Sequence, residues 1–370
     1  MQKILIIGAS ARAAAQSAHR AGFEVVAADL FADQDLASFA TCLRVPNYPD
    51  DFLSIRKQFP DLPVVYTGAL ENYPSLIEEL QTIGPVWGQT AVTLRNIRDP
   101  LQWTSALSKR NIACPETQLS LPKDSRERWL AKPLRSAGGA NVRRVNETET
   151  ITEDCLFQRE STGEPCSAAF ATSKSNRKTE FLGASRMLVG EPWGSPHEFG
   201  YCGSISYSPT AEQKTQWLAI AQALADDFDL VGVFGIDAIA TACGIVPIEV
   251  NPRYTASMET LEVSLTQPIL QYHVDACRGE NLNVVEAEFR TCAKLVVFAD
   301  RNVIMPDSND ELLDKFTTRN QTLADIPTPG QSISTGAPIT TVLLKGDEDP
   351  DQKLRDTANR LRKSCLSQDN

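Results

Sequence analysis

The chain has 370 residues, 42% hydrophobic and 22% charged, which is enough for several packed units with their own cores. That composition excludes a disordered tail protein, a collagenous repeat and a disulfide miniprotein. Lys and Arg total 36 against 47 Asp and Glu, so the formal charge of -11 argues against nucleic-acid or membrane-surface partners. A local basic pocket for one small anion remains compatible with that balance.

Nine cysteines, an odd number, are scattered without a CxxC pair or metal-ligand spacing. They read as reduced thiols of a cytoplasmic protein rather than a disulfide framework. Only His19, His197 and His273 are available, widely spaced, which argues against Cys/His or Ser/His catalysis. The N-terminus lacks the long apolar region and cleavage site of a signal peptide. Leu230 to Ile248 is nearly all apolar, yet it contains Asp237, Gly232, Gly235, Gly244 and Pro247. A central Asp costs about 2.5–3.5 kcal/mol in a membrane helix, so two buried strands and a turn explain the run better.

In chain order, Ile4–Ile7, Val25–Ala28, Leu43–Val45, Val64–Tyr66 and Val86–Trp87 read as strands. Helical stretches at Ala11–Ala21 and Tyr73–Ile83 lie among them, and this alternation predicts a parallel sheet in an α/β domain over 1–95. The turn Gly8-Ala9-Ser10 with Asp29 after the next strand invites a dinucleotide reading, but Ser10 stands where a second glycine would meet the pyrophosphate. A Rossmann-like domain without a dinucleotide is the preferred reading, and an NAD-dependent oxidoreductase is the alternative. The helix N-terminus there could receive a carboxylate.

Leu94 to Pro115 reads as a helical bridge, followed by strand, glycine-rich turn and strand within 96–155. In 156–285, Trp217, Ile220, Ala221, Leu224 and Phe228 form one stripe of a helix over Lys214–Phe228, with a capping box at Thr210–Gln213. The last unit, 286–370, offers strands at Ala293–Ala299 and Ile339–Leu344 and a helix near Pro350–Ser364.

Chemistry concentrates in two places. Glu249 and Asn251 sit two apart on a strand and share a face. A three-residue loop, Ala242-Cys243-Gly244, would set Asp237 opposite Glu249, whereas a one-residue slip would turn it away. Two carboxylates and an amide oxygen suit a hard cation such as Mg²⁺, with waters and phosphate oxygens completing its shell. The second place is Lys132-Pro133 at the end of an apolar strand, followed by Ser136, Gly138 and Gly139. An ammonium and a glycine loop can surround phosphates, although glycine hairpins are commonly structural. Cys155 to Glu160, then Glu164, could be an adenine-edge strand with a ribose ligand, or a strand and a charged turn.

Taken in order, these pieces resemble the ATP-grasp superfamily over about residues 1–275, most specifically in Glu249-Val250-Asn251-Pro252-Arg253. The resemblance implies a Rossmann-like N-terminal domain, central ATP-grasp domains and a small β-rich C-terminal domain, α/β overall and α+β in the centre. It implies that Lys132 contacts the α/β-phosphates and that Ser136, Gly138 and Gly139 belong to a phosphate lid. Gln158 and Arg159 would border the adenine, and Glu164 would hold the ribose. Asp237, Glu249 and Asn251 would carry two Mg²⁺ ions, with Mn²⁺ able to substitute, and Arg253 would steady the transferring phosphate or acyl phosphate. In one departure, many members have Asp followed by Lys or Arg in the linker, and here Asp99 is followed by Pro100, leaving Arg95 and Arg98 as candidates.

The implied activity is an ATP-dependent carboxylate–amine ligase forming an amide through an acyl phosphate, with small-molecule substrates and a homodimeric assembly. The Lys-Pro and Gly-Gly wording is nearest the carbamoyl-phosphate-synthase-like subset that includes tyramine–glutamate ligase, which points to amino-acid ligation in cofactor biosynthesis of the methanofuran or methanopterin type. A catalytically silent ATP-binding module is a further alternative. Arg12, Glu71 and Asn72 are candidates to orient a substrate, with Tyr254, Ser257 and Glu259 beyond the metal strand.

Overall fold

The computed structural model describes residues 2–122, 127–145, 154–285, 287–346 and 349–365. The N-terminal unit alternates β1 (Lys3–Ile7), α1 (Arg12–Arg20), β2 (Glu24–Asp29), α2 (Gln34–Ala37), β3 (Thr41–Arg44), α3 (Asp51–Gln58), β4 (Val64–Tyr66) and α4 (Pro74–Ile83). Its four strands run parallel in the order β3-β2-β1-β4. Strands such as Ile4–Ile7 are buried on both faces, the expected condition for a parallel sheet. Val86 makes only an isolated bridge to Val64, so the fifth strand expected there is not formed. With β1 central, connections leave it in opposite directions toward β2 and β4. The crevice at the ends of β1 and β4 is therefore a topological switch point, where such sheets receive ligands.

The bridge out of this unit is two helices, α5 (Ala91–Ile97) and α6 (Pro100–Lys109). The break has a local cause. The Asp99 side chain accepts from the Leu101 N–H at 2.9 Å as N-cap, and Pro100 occupies the first helical position. A small antiparallel sheet follows, ordered β5 (Thr117–Gln118), β8 (Cys155–Arg159), β6 (Trp129–Pro133), β7 (Arg143–Val145). Its core is Trp129, Ala131, Cys155 and Phe157.

The larger sheet has eight strands among the described residues. The central part contributes β9 (Glu164–Thr172), β10 (Thr179–Val189), β11 (Tyr201–Tyr207), β12 (Gly232–Thr241) and β13 (Gly244–Asn251), with α7 (Ala211–Phe228), α8 (Met258–Leu261) and α9 (Ile269–Arg278). Trp217, Ile220 and Leu224 of α7 pack on Phe170, Phe234 and Ile236 and on Trp103 and Leu107 of α6. The capping box at Thr210 and Gln213 is formed. The C-terminal part adds β14 (Cys292–Phe298), β15 (Val303–Ile304), α10 (Asp310–Phe316), β16 (Gln321–Ala324), β17 (Ser332–Ile333), β18 (Pro338–Lys345) and α11 (Pro350–Cys365). Its strands β14, β18 and β16 continue the same sheet beyond β11. None of the nine cysteines is in a disulfide. Among the described residues no helix is long and apolar enough to cross a membrane.

Candidate active site

The β12–β13 hairpin sets Asp237 opposite Glu249, as expected, but by a different route, and it sets Gly235 opposite Asn251. The turn holds two residues rather than three, because Thr241 already pairs with Gly244. That register would set Asp237 opposite Ile248. A β-bulge between Asp237 and Ala238 takes up Ile248 as an extra residue and restores the shared face. The bulge also frees the Ile248 carbonyl, which accepts from Lys132 Nζ at 3.1 Å.

Lys132 reaches this point from β6, and its Nζ also donates to Gln158 Oε1 at 3.1 Å. Gln158 in turn donates to Thr117 Oγ1 at 3.3 Å. Burial lowers the Lys132 pKa, while Glu249 and Asp237 oppose that shift. Asp237 is pushed up to about 6, first by burial and then by the like charge of Glu249. Asn251 Nδ2 donates to Asp237 Oδ2 at 3.0 Å. Glu249 lies below the ordinary carboxylate range: burial would raise it, but Arg98 and then Lys132 outweigh that.

Two guanidinium groups complete the constellation. Arg253 gives Nε to Glu71 Oε1 at 2.8 Å and Nη2 to Asn251 Oδ1 at 3.1 Å. Tyr254, which pairs with Thr67, docks this segment against the switch point at the end of β4. Glu71 is 1% exposed, and its second oxygen, Oε2, is buried without a partner. Arg98 gives Nη1 to Glu249 Oε1 at 3.0 Å and Nη2 to Asn72 Oδ1 at 3.1 Å. Arg95, the other linker candidate, is exposed and pairs with Glu78. Glu71 and Asn72, candidates in the sequence to orient a substrate, hold the two arginines in place.

Arg98, Lys132, Ser136, Gly139, Gln158 and Glu249 line one narrow cleft with about 50 Å³ of free volume. Ligand pockets usually offer roughly 300–1,000 Å³, so the two sheets and the glycine loop must part for a nucleotide. The loop is docked on the large sheet: Tyr201 N–H donates to the Gly138 carbonyl at 2.9 Å. A side chain on Gly139, at φ 74°, would lie 1.9 Å from the Phe199 carbonyl oxygen. A broader depression of about 550 Å³ lies beside Phe298, Arg301 and Arg362 and is lined by none of these residues.

Other predicted residues lie outside the cleft as it stands: Arg159 ends β8 exposed, and Glu164 is exposed beside Arg186. Asp29 is not free for a ribose. Its Oδ2 accepts from the Ala11 N–H at 2.9 Å, so the α1 N-terminus already holds a carboxylate, the chain's own. A Cβ on Gly8 would fall 1.9 Å from Thr67 Oγ1, so the glycine is required for packing against the end of β4. Arg12 is wholly buried, bound to Glu259 and Asp325, and Lys294 Nζ lies 2.7 Å from Glu259 Oε2. Arg12 and Glu259 therefore neutralise each other and are not offered to a ligand. Tyr254 donates to Glu262 at 3.4 Å and Ser257 bonds Thr255 at 2.9 Å.

Among the described residues no three His, Cys, Asp or Glu side chains are grouped to hold a metal. Asp237 and Glu249 with Asn251 fit a cation whose remaining ligands come from phosphate and water, and such a cation would offset both causes of the raised Asp237 pKa, burial first and then the like charge of Glu249.

Residues 97–257 match the ATP-grasp domain family in sequence. A search of curated proteins by sequence returns no match. The fold is similar to N5-carboxyaminoimidazole ribonucleotide synthetase from Thermotoga maritima, at 17% identity over 98% of each chain with a TM-score of 0.68. It is similar to the Staphylococcus aureus N5-carboxyaminoimidazole synthetase complexed with ADP, at 14% identity over 97% of each chain with a TM-score of 0.72. A biotin carboxylase ATP-type complex from Campylobacter jejuni gives 12% identity and a TM-score of 0.72, covering 99% of this chain and 95% of that one. The segment that matches the ATP-grasp domain family carries Lys132, Asp237, Glu249, Asn251 and Arg253, and the fold around it is similar to these solved structures over nearly the whole chain.

Proposed function

We propose that the protein is an ATP-dependent carboxylate–amine ligase working through an acyl phosphate. The observation that carries this reading is the convergence of three cations, Arg98, Lys132 and Arg253, on the Asp237–Glu249–Asn251 hairpin. The similar structures complexed with ADP and with beta-gamma-ATP support the nucleotide part.

A substrate carboxylate oxygen attacks the γ-phosphorus, the bond to ADP breaks, and an acyl phosphate forms. An amine nitrogen then attacks the acyl carbon, phosphate leaves, and the amine gives up a proton. No nucleophilic side chain is required. Lys132 presents its ammonium beside the carboxylate pair, and Arg253, fixed by Glu71 and Asn251, presents a guanidinium at the switch-point crevice. Asp237, Glu249 and Asn251 would hold Mg²⁺, which supplies neutralising charge to the phosphate oxygens when bound. Gly138 and Gly139 close the loop over the cleft and exclude water.

An amino acid of a cofactor pathway is the substrate class we infer for the carboxylate or the amine, and a homodimer is the working assembly. Phosphate release from MgATP with paired acids and amines tests the activity. Glu249→Ala lowers it by at least about a hundredfold; unchanged release would overturn the assignment.

A further inference from the structure

Each carboxylate read as a metal ligand already has a donor from the protein. Asn251 Nδ2 covers Asp237, and Arg98 Nη1 covers Glu249 Oε1 at 3.0 Å. The Arg98–Glu249 pair sits at the cleft wall, with side chains 15% and 31% exposed, rather than in the dry core. The remaining Arg98 contacts are to neutral oxygens: Val250 O at 3.4 Å, Asn72 Oδ1 at 3.1 Å and Ser136 O at 3.4 Å. Its Nε is buried and without a partner, so one donor of the fork is unspent. Ser136 lies at the base of the glycine loop, which the narrow cleft requires to move before a triphosphate enters. Pro100 leaves no cation at the helix start, and Arg95 is committed to Glu78 outside the cleft.

We propose that Arg98 is a two-position cation that holds Glu249 until a nucleotide phosphate draws it off, so that divalent metal alone is kept from the carboxylates and metal loads together with nucleotide. The inference rests on the ligase reading above. Its physics is an exchange of anionic partners. Metal arriving alone must displace a charge-assisted hydrogen bond and leave the guanidinium without an anion in a partly desolvated wall. Metal arriving with a triphosphate gives that guanidinium a new anion of higher charge. Metal and nucleotide therefore strengthen each other's binding, and the coupling is reciprocal.

The test uses the full chain and Mn²⁺ as probe, its free concentration read by electron paramagnetic resonance, with and without the β,γ-methylene analogue of ATP. Wild type binds Mn²⁺ weakly alone and much more tightly with the analogue. Arg98→Gln binds Mn²⁺ alone about tenfold tighter, and the strengthening by the analogue shrinks about tenfold, within the usual range of coupling between sites. Circular dichroism checks that the variant is folded. Arg98→Lys, which keeps the charge but cannot hold Glu249, Asn72 and Ser136 together, shifts both quantities the same way by less. Mn²⁺ alone binding either variant no tighter than wild type would overturn the proposal even if wild type binds the metal–nucleotide pair. If wild type binds no metal–nucleotide pair at all, the ligase reading falls and this inference with it.

Discussion

The Asp29 carboxylate accepts N–H groups from Ala11 at 2.9 Å, Phe31 at 3.1 Å and Ala32 at 2.8 Å. It is fully buried, so losing it strands those donors. Asp29→Ala is expected to cost about 1–3 kcal/mol in urea denaturation while leaving MgATP affinity unchanged. A dinucleotide-binding role would predict the opposite pattern. Lys132 behaves differently, because its ammonium is held by two acceptors, Gln158 Oε1 and the Ile248 carbonyl, beside the Asp237 and Glu249 carboxylates. Lys132→Met is expected to lower ATP-dependent phosphate release about a hundredfold, with thermal stability nearly intact. Rescue of activity by high Mg²⁺ would count against direct phosphate contact.

At the scale of elements, the bulge in β12–β13 shows how one extra residue serves two ends. It puts Asp237 and Glu249 on one face and exposes the carbonyl that Lys132 needs. Helix α9 is secured to β12 by a histidine. Val233 N–H donates to His273 Nδ1 at 3.0 Å, and Nε2 lies 3.1 Å from the Trp87 carbonyl, so the assigned neutral tautomer carries its proton on Nε2. Burial lowers the His273 pKa to about 4. Between pH 6.5 and 4 the unfolded chain takes up a proton that the native state does not. The His273 contribution to stability is therefore present above pH 6.5 and is lost as pH drops to 4, by on the order of 3 kcal/mol. Urea denaturation of wild type and His273→Asn across that window checks this in the difference between the two slopes, because Asp237, raised to about 6, titrates there with the opposite sign.

For the whole molecule, Arg12 joins three regions: the start of α1, Glu259 on α8 and Asp325 after β16. Burial would raise both carboxylates, but Arg12 and then Lys294 outweigh it, holding Glu259 at about 2 and Asp325 well below the usual range. Removing the guanidinium leaves the buried Glu259 carboxylate and the partly exposed Asp325 carboxylate with Lys294 as the cation beside them. Arg12→Met is expected to cost about 3–5 kcal/mol, seen as a lower apparent Tm in calorimetry. If Arg12 were a substrate contact instead, the loss would appear in KM with Tm unchanged.

The sequence by itself determined the periodic parts. The apolar runs of the front strands, the stripe and capping box of α7, and the two-residue spacing of Glu249 and Asn251 are local patterns. Backbone geometry alone turns such patterns into faces. Asp237 against Glu249 was legible too, though for the wrong loop length, since a bulge leaves no mark in the pattern of apolar residues. Tertiary structure set Arg98 in the cleft and Arg95 outside it, committed Asp29 and Arg12 to other work, and left Arg159 and Glu164 outside the cleft. Those outcomes depend on which face of one element meets another far along the chain: Arg98 and Glu249 are 151 residues apart. Charge type and local spacing state what a side chain can bind. Packing decides which partner reaches it first, because a buried charge takes the nearest opposite charge the fold supplies.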